Sequence, residues 1–328
     1  MEKLLIVLLE PDTYIWLAVT VLTIISVIVF LVCRNTRHRW LRLIGILFVL
    51  FIWYVLIYGV FVGFRQLEVR QVEFASKDLP ASFDGYRIVQ FSDVHIGTLT
   101  GWREELLVRA IDSINAQKPD LIVFTGDLQN KYPDEIEERV KLLLRLKARD
   151  GICSVLGNHD YPEYSERDDF HRSVDIGRTC STEEDLGWFL LNNTYHRFRR
   201  NGEAIYIAGM ENDGEGRFPQ LGHLSSALVG LNRSSFVIML EHDPTSWRRK
   251  ILPHSHCQLT LSGHTHGGQF SLFGLSPAMF RYPEWYGMYY AGERALNVTS
   301  GLGGVVPFRF GASPEIVVIT LRKLKIEK

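Results

Sequence analysis

The sequence predicts an α/β domain preceded by two transmembrane helices. Three observations predict it. Two uncharged apolar runs occupy the first fifth of the chain. Beyond them, apolar strand-like segments alternate with amphipathic helical ones, the pattern of a sheet with helices packed on it. Five of those strand segments lead directly into short motifs of Asp, His, Glu and Asn.

The apolar runs are Tyr14 to Val32 and Leu43 to Phe64. A helix needs about 20 apolar residues to cross the hydrocarbon core, and both runs meet that length. Tyr14, Trp16, Trp40 and Tyr58 lie towards their ends, where interfacial aromatics gather. A cleaved signal peptide fits poorly, because Glu2, Glu10 and Asp12 dilute a positive start and the apolar stretch is too long. The connection carries Arg34, Arg37, Arg39 and Arg42. Short positive loops stay in the cytoplasm, which places all that follows Phe64 on the outer face of a cell (inner) membrane. Arg65, Arg70 and Lys77 dilute that asymmetry, so a cytoplasmic placement of the domain is the alternative. The expected organisation is a tail (1–13), a first span (14–33), a basic loop (34–42), a second span (43–64), a linker with an edge strand (65–84), a domain (85–322) and a tail (323–328).

In the domain, Tyr86–Ser92, Leu121–Thr125 and Gly151–Leu156 read as strands, and Glu104–Gln117 and Glu135–Leu146 as helices. Further strands are expected at Glu203–Ala208, Phe236–Leu240, Gln258–Ser262, Ala295–Val298 and Glu315–Leu321. Segment 163–187 is charged and reads as a solvated loop or surface helix; a cap facing the substrate is the alternative. The aromatic stretch Tyr282–Tyr290 reads as a packed loop, with a groove for an acyl chain or base as the alternative.

A formal net charge of -1 over 328 residues argues against a dedicated nucleic-acid binder, which shows a basic excess. Cys33, Cys153, Cys180 and Cys257 form no CxxC pair and read as free thiols.

The motifs are Asp93-Val94-His95, Gly126-Asp127, Gly157-Asn158-His159-Asp160, Glu241-His242 and Gly263-His264-Thr265-His266. Ligands collect at the carboxyl ends of strands in open α/β sheets, so these motifs can converge on one rim. Residues two apart in an extended segment point to the same side, so Asp93 with His95, and His264 with His266, can each serve one ion. Carboxylate, imidazole and amide oxygen suit Mn, Fe, Zn or Co.

The series DVH, GDL, GNHD, EH and GHTH resembles the calcineurin-like metallophosphoesterase superfamily over roughly residues 85–322. Ser300-Gly301-Leu302-Gly303, Pro307-Phe308-Arg309 and Pro314-Glu315-Ile316 look like its branch of membrane-associated bacterial phosphohydrolases. The resemblance implies a two-sheet sandwich flanked by helices and two divalent metal ions. It implies that Asp93, His95 and His266 hold one ion, that Asn158, His242 and His264 hold the other, and that Asp127 bridges them. His159 would protonate the leaving oxygen. Asn130 stands where the family often has an acidic residue.

Two such ions can activate a hydroxide for in-line attack on phosphorus, so no protein nucleophile is required. Arg309 is a candidate substrate contact, with an ordinary ion pair as the alternative. The anchor favours a phosphate-containing substrate that is lipid-linked or part of the envelope. UDP-2,3-diacylglucosamine pyrophosphatase activity is one alternative, although its substrate sits at the cytoplasmic leaflet. A cyclic-nucleotide phosphodiesterase or nuclease is another. A catalytically inactive membrane scaffold is the third, and it predicts missing ligands, whereas every ligand position is filled.

Overall fold

A computed structural model describes residues 10–324; residues 1–9 and 325–328 of the two expected tails lie outside the described residues. Helices α1 (Pro11–Asn35) and α2 (Arg39–Phe61) form a hairpin, and both are long and apolar enough to cross a membrane. Pro11 occupies the first turn of α1, where its missing N–H is no loss. Both helices begin before the apolar runs do, and the end of the second run turns into a short 3-10 segment, Gly63–Arg65. The two helices touch through Trp53, whose Nε1 donates to Ser26 Oγ at 3.0 Å.

The domain is a sandwich of two six-stranded sheets. Its strands are β1 (Glu68–Ser76), β2 (Arg87–Phe91), β3 (Leu121–Phe124), β4 (Ile152–Ser154), β5 (Phe189–Leu190), β6 (Thr194–Arg200), β7 (Glu203–Gly209), β8 (Val237–Leu240), β9 (Leu259–Ser262), β10 (Gly287–Ala291), β11 (Arg294–Val298) and β12 (Glu315–Lys323). The first sheet runs β1-β12-β2-β3-β4-β5, with β2 through β5 parallel. The second runs β10-β11-β9-β8-β7-β6, with β11, β9, β8 and β7 parallel. The strand expected in the 65–84 linker is β1, at the edge of the first sheet and parallel to β12.

Alternation along the strands builds the layers. In β3, Leu121 and Val123 face the second sheet and join Ile238, Leu240, Leu259 and Leu261 between the sheets. Ile122 and Phe124 face outward under α3 (Glu104–Ala116), which buries Leu107, Ala110, Ile111 and Ile114 against them. Each sheet is covered on both faces, which is why its central strands read as continuous apolar runs.

Two expectations change, and for segment 163–187 the choice between loop and helix is decided. The helix expected at Glu135–Leu146 is two short pieces, α4 (Asp134–Glu137) and α5 (Val140–Leu143), separated at Arg139 (φ -116°, ψ 9°). Each piece buries only one apolar residue, Ile136 or Leu143, too little to hold one continuous helix. Segment 163–187 is largely a helix, α6 (Asp169–Asp185), whose N-terminus is capped by Asp168 Oδ1 accepting from His171 N at 2.9 Å. Its inward face is polar, with Asp175, Thr179, Thr182 and Glu183 buried, so apolar spacing could not announce it. The end of the aromatic stretch is β10, antiparallel to β11 with Tyr289 opposite Leu296. The short strand β5 and the charged strand β6 carry too few apolar residues to be read from sequence.

Candidate active site

Sheet order places the motifs. Asp93 follows β2, Asp127 follows β3, and Asn158 and His159 follow β4, three adjacent parallel strands. His242 follows β8, while His264 and His266 follow β9, neighbours in the second sheet. Backbone bonds lock the loops together. Asp93 N donates to Gly126 O (2.9 Å), His95 N to Asp127 O (3.1 Å) and Gly263 N to His242 O (3.0 Å). Across the sandwich, Gln90 Nε2 donates to Ser262 O at 3.0 Å.

The seven candidate ligands meet at this rim. Asp93, His95, Asp127 and His266 form one group, and Asp127, His242 and His264 form another, with the donor atoms of each group within 4.8 Å of one another. Asp127 belongs to both: its Oδ2 lies 3.2 Å from His242 Nε2 and 3.6 Å from His95 Nε2. Asn158 joins the second group, its Oδ1 lying 2.7 Å from His264 Nδ1 and 3.2 Å from His242 Nε2. Asn158 Nδ2 donates to Tyr164 Oη at 2.9 Å, which leaves the amide oxygen facing the imidazoles.

Of the two pairs expected to serve one ion each, Asp93 and His95 fall in one donor group, whereas His264 and His266 fall in different groups, and neither pair is extended. Asp93 (φ 50°), His95 (φ 43°), Asp127 (φ 60°), His264 (φ 70°) and His266 (φ 53°) all adopt left-handed backbone. Non-glycine residues visit this region rarely, at a cost of roughly 1 kcal/mol or more each. The turns curl the chain around the centre and aim alternate side chains inward. Glycine is required where two turns meet: a Cβ on Gly126 (φ 92°) would sit 2.5 Å from Gly157 N, and one on Gly157 would collide with Asp127 Oδ1.

A second layer orients the donors. His242 Nδ1 donates to Thr125 O (2.7 Å), so Nε2 faces the centre. His264 Nε2 is held by Tyr282 Oη (3.0 Å), with Asp243 Oδ2 at 3.5 Å, so Nδ1 faces the centre. His95 Nδ1 bonds Asn130 Oδ1 at 3.2 Å. Asn130 thus orients a candidate ligand with a neutral oxygen at the position where the resemblance led us to expect a carboxylate. Asp160 accepts from the backbone N–H of Asp127 (2.8 Å), Leu128 (2.9 Å) and Gly157 (2.8 Å), tying two ligand loops together. Tyr164 was signalled by no motif; Tyr282 opens the aromatic stretch and Asp243 directly follows the Glu241-His242 motif, but only the fold brings either to His264.

The buried donors fit a cation. His95 Nε2 and His266 Nδ1 are buried without a hydrogen-bond partner, which is costly for a polar atom. Burial, with His159 beside it, lowers the His95 pKa to about 3, and burial lowers that of His264 to about 4. His266 is held well below its ordinary value by burial and by His95. These three imidazoles are therefore neutral, the state in which nitrogen can bind a metal. Burial opposes charge on His242, yet Asp127 outweighs it and raises the pKa to about 10. Burial likewise opposes charge on Asp127, but His242 and His159 hold its carboxyl well below the usual range. Burial pushes Asp93 up to about 7. Loading a cation would displace the protons on His242 and Asp93.

His159 stands beside the cluster. Its Nδ1 donates to Asn130 O (2.8 Å), its backbone N to Asp127 Oδ1 (2.7 Å), and its ring stacks on Tyr164 at 4.2 Å. Arg309 corrects the expectation of a substrate contact. Its side chain is fully buried, and Nη1 and Nη2 are taken up by the carbonyls of His266 (2.9 Å), Ala312 (3.3 Å), Ser300 (2.8 Å) and Gly303. A guanidinium so occupied shapes the loops and cannot reach out to a phosphate.

Residues 86–268 match the calcineurin-like phosphoesterase family. The chain is 34% identical over 274 residues to the Bacillus subtilis (strain 168) metallophosphoesterase YkuE, covering 81% of this chain and 89% of that one. It is 30% identical over 277 residues to a Danio rerio transmembrane protein with metallophosphoesterase domain, covering 81% of this chain and 60% of the fish protein. Among solved structures, TT1561 of Thermus thermophilus aligns with a TM-score of 0.42 at 15% identity, covering 66% of this chain and 90% of that one. By its motifs, its shared donor cluster and its sequence relatives, the chain belongs to the calcineurin-like phosphoesterase family, the metal-dependent hydrolases of phosphoric esters.

Proposed function

We propose that this chain is a membrane-anchored phosphohydrolase that uses two ions to cleave a phosphoester, phosphodiester or pyrophosphate bond in a lipid-linked or envelope substrate. The observation that carries it is Asp127, shared by two donor groups with His159 beside it. Asp93, His95, Asp127 and His266 would hold one ion, and Asp127, Asn158, His242 and His264 the other. Bound divalent ions (Mn, Fe, Zn or Co, by donor type) supply Lewis acidity and a positive field suited to a phosphate anion.

The chain's own groups do the rest. Asp93 and Asp127 carry the only negative charge among the seven, so a loaded site keeps a positive balance. His159 keeps its Nδ1 proton on the Asn130 carbonyl, so the proton it hands to the departing oxygen is a second one, taken up at Nε2 from water as the ring becomes the imidazolium, a state that burial opposes and Asp127 favours. Tyr164 stacks on the ring and holds it in that orientation.

The geometry of the hairpin supports an extracytoplasmic domain on a multi-pass anchor, and the names of two relatives support a membrane anchor. Asp12, at the start of α1, pairs with Arg103 of the domain (2.8 Å), and α2 runs into the domain at its other end. The basic loop therefore lies at the far tip of the hairpin, and positive tips stay in the cytoplasm. The Danio rerio and Bos taurus relatives are also named as transmembrane proteins.

The test uses the full-length protein in detergent, stripped with chelator and reloaded with Mn²⁺. Bound metal and turnover of bis(p-nitrophenyl) phosphate should appear together, and Asp127→Ala should abolish both. A stripped and reloaded protein that binds no metal and hydrolyses nothing would sink the reading.

A further inference from the structure

An apolar groove runs along the hairpin where it meets the domain. Its walls include Ala18 and Leu22 of α1, Phe51 and Val55 of α2, and Phe270 and Phe308 of the domain. It measures about 490 Å³, within the range of small-molecule sites, and no charged side chain is among its described lining residues.

Its depth matches one leaflet. Phe61, at the end of α2, stacks on Trp102 of the domain at 6.0 Å. Phe51 lies ten residues earlier, about 15 Å along the helix axis. A hydrocarbon core of about 30 Å gives each leaflet about 15 Å. Phe310 also packs on Tyr58 and Tyr54 of α2, at 5.5 and 6.4 Å. The domain thus reaches down the side of the hairpin to bilayer depth.

The domain wall is continuous with the metal-ligand loop. Phe270 follows His266 by four residues. Gln269 Nε2 donates to the carbonyls of Val306 (2.7 Å) and Phe308 (3.0 Å), and the next residue, Arg309, donates to that of His266. The same segment displays Phe273 and Phe280, which are 95% and 90% exposed. Bare aromatic rings are disfavoured in water and settle readily at a bilayer interface.

We propose that the groove holds the hydrocarbon chain of the substrate, a phosphate ester carried by a membrane lipid, while segment 270–280 rests in the interface beside it. The chain stays in the leaflet and the headgroup reaches the donor cluster. This rests on the reading that the hairpin spans the bilayer and the site hydrolyses phosphate.

The test places the full-length protein in nanodiscs of phosphatidylglycerol and phosphatidylethanolamine with trace phosphatidic acid bearing a mid-chain diazirine. After illumination, label should concentrate on peptides carrying Phe51, Phe270 and Phe308. Ala18→Trp fills the slot and should lower that labelling about tenfold, the effect of excluding about two methylene groups. Label on Trp16 and Phe48, which face outward, should not change. Label spread evenly over all these positions in the unmutated protein would overturn the proposal.

A second measurement separates this from the enzymatic reading. With Mn²⁺, dioleoyl phosphatidic acid should be preferred to the dihexanoyl form in kcat/KM, and Ala18→Trp should erase that preference through KM. Turnover of bis(p-nitrophenyl) phosphate should stay unchanged. Aryl ester turnover without a chain-length preference overturns the groove and leaves the hydrolase standing. Groove labelling without turnover of any ester overturns the hydrolase reading and, with it, the assignment of the bound chain to a substrate.

Discussion

Arg309 Nη1 donates to the backbone carbonyl of His266 at 2.9 Å, while the backbone N of Arg309 donates to Gly59 O of α2 at 3.0 Å. One residue therefore joins the apolar hairpin to the loop of a candidate ligand, His266. Arg309→Lys keeps the charge but loses the planar fork that serves several carbonyls at once. It should weaken metal binding about tenfold, as loss of an outer-layer partner does, and lower the melting temperature. Metal titration and thermal unfolding check this. A raised KM with unchanged metal affinity and stability would instead mark a substrate contact.

Asn130 orients His95 through Nδ1. Asn130→Ala should lower metal affinity about 10–100-fold, and Asn130→Asp should restore it, because a carboxylate accepts the same proton more strongly. Competition against a coloured chelator measures both. Equal affinities in all three proteins would show the bond to be idle.

His159→Ala should retain metal and lose turnover by about 10²–10⁴-fold, the usual range for a lost proton donor. The loss should grow with the pKa of the leaving group. Comparing p-nitrophenyl and alkyl esters reads the slope, and a uniform loss across leaving groups would remove His159 from that role.

Glu183 is fully buried, and its Oε2 accepts from Ser154 Oγ at 2.5 Å. Burial, with Asp160 nearby, holds its carboxyl well above the ordinary 4.5, so the folded chain keeps it neutral. The unfolded chain ionises it near the ordinary value. Its contribution to stability is therefore full below that value and declines as pH rises towards the folded pKa. Glu183→Gln removes the decline. The variant should match the unmutated protein at low pH and exceed its melting temperature by about 2 °C or more at pH 8. Parallel profiles would mean that Glu183 is ionised in the fold.

Chemistry was legible where it is local. The apolar runs read as long helices because hydropathy depends on the segment alone, although their ends shifted to Pro11 and Arg39. The polar inner face of α6 was not legible, because Thr179 is satisfied by Gln129, 50 residues away, at 2.9 Å. Arg309 read equally well as an anion contact or an ion pair, and the structure shows neither. Carbonyls that turn inward leave no trace in side-chain order.

The sequence by itself determined which donors exist and that each follows a strand, since strand patterning and ligand chemistry are properties of short segments. Which donors meet was implied by the family resemblance alone, and only the tertiary structure shows what brings them together. A metal centre needs atoms within a few ångströms, and that depends on β2, β3 and β4 lying side by side opposite β8 and β9. It depends also on left-handed turns that long-range hydrogen bonds hold in place, a conformation that Asp93, His95, Asp127, His264 and His266 do not favour alone.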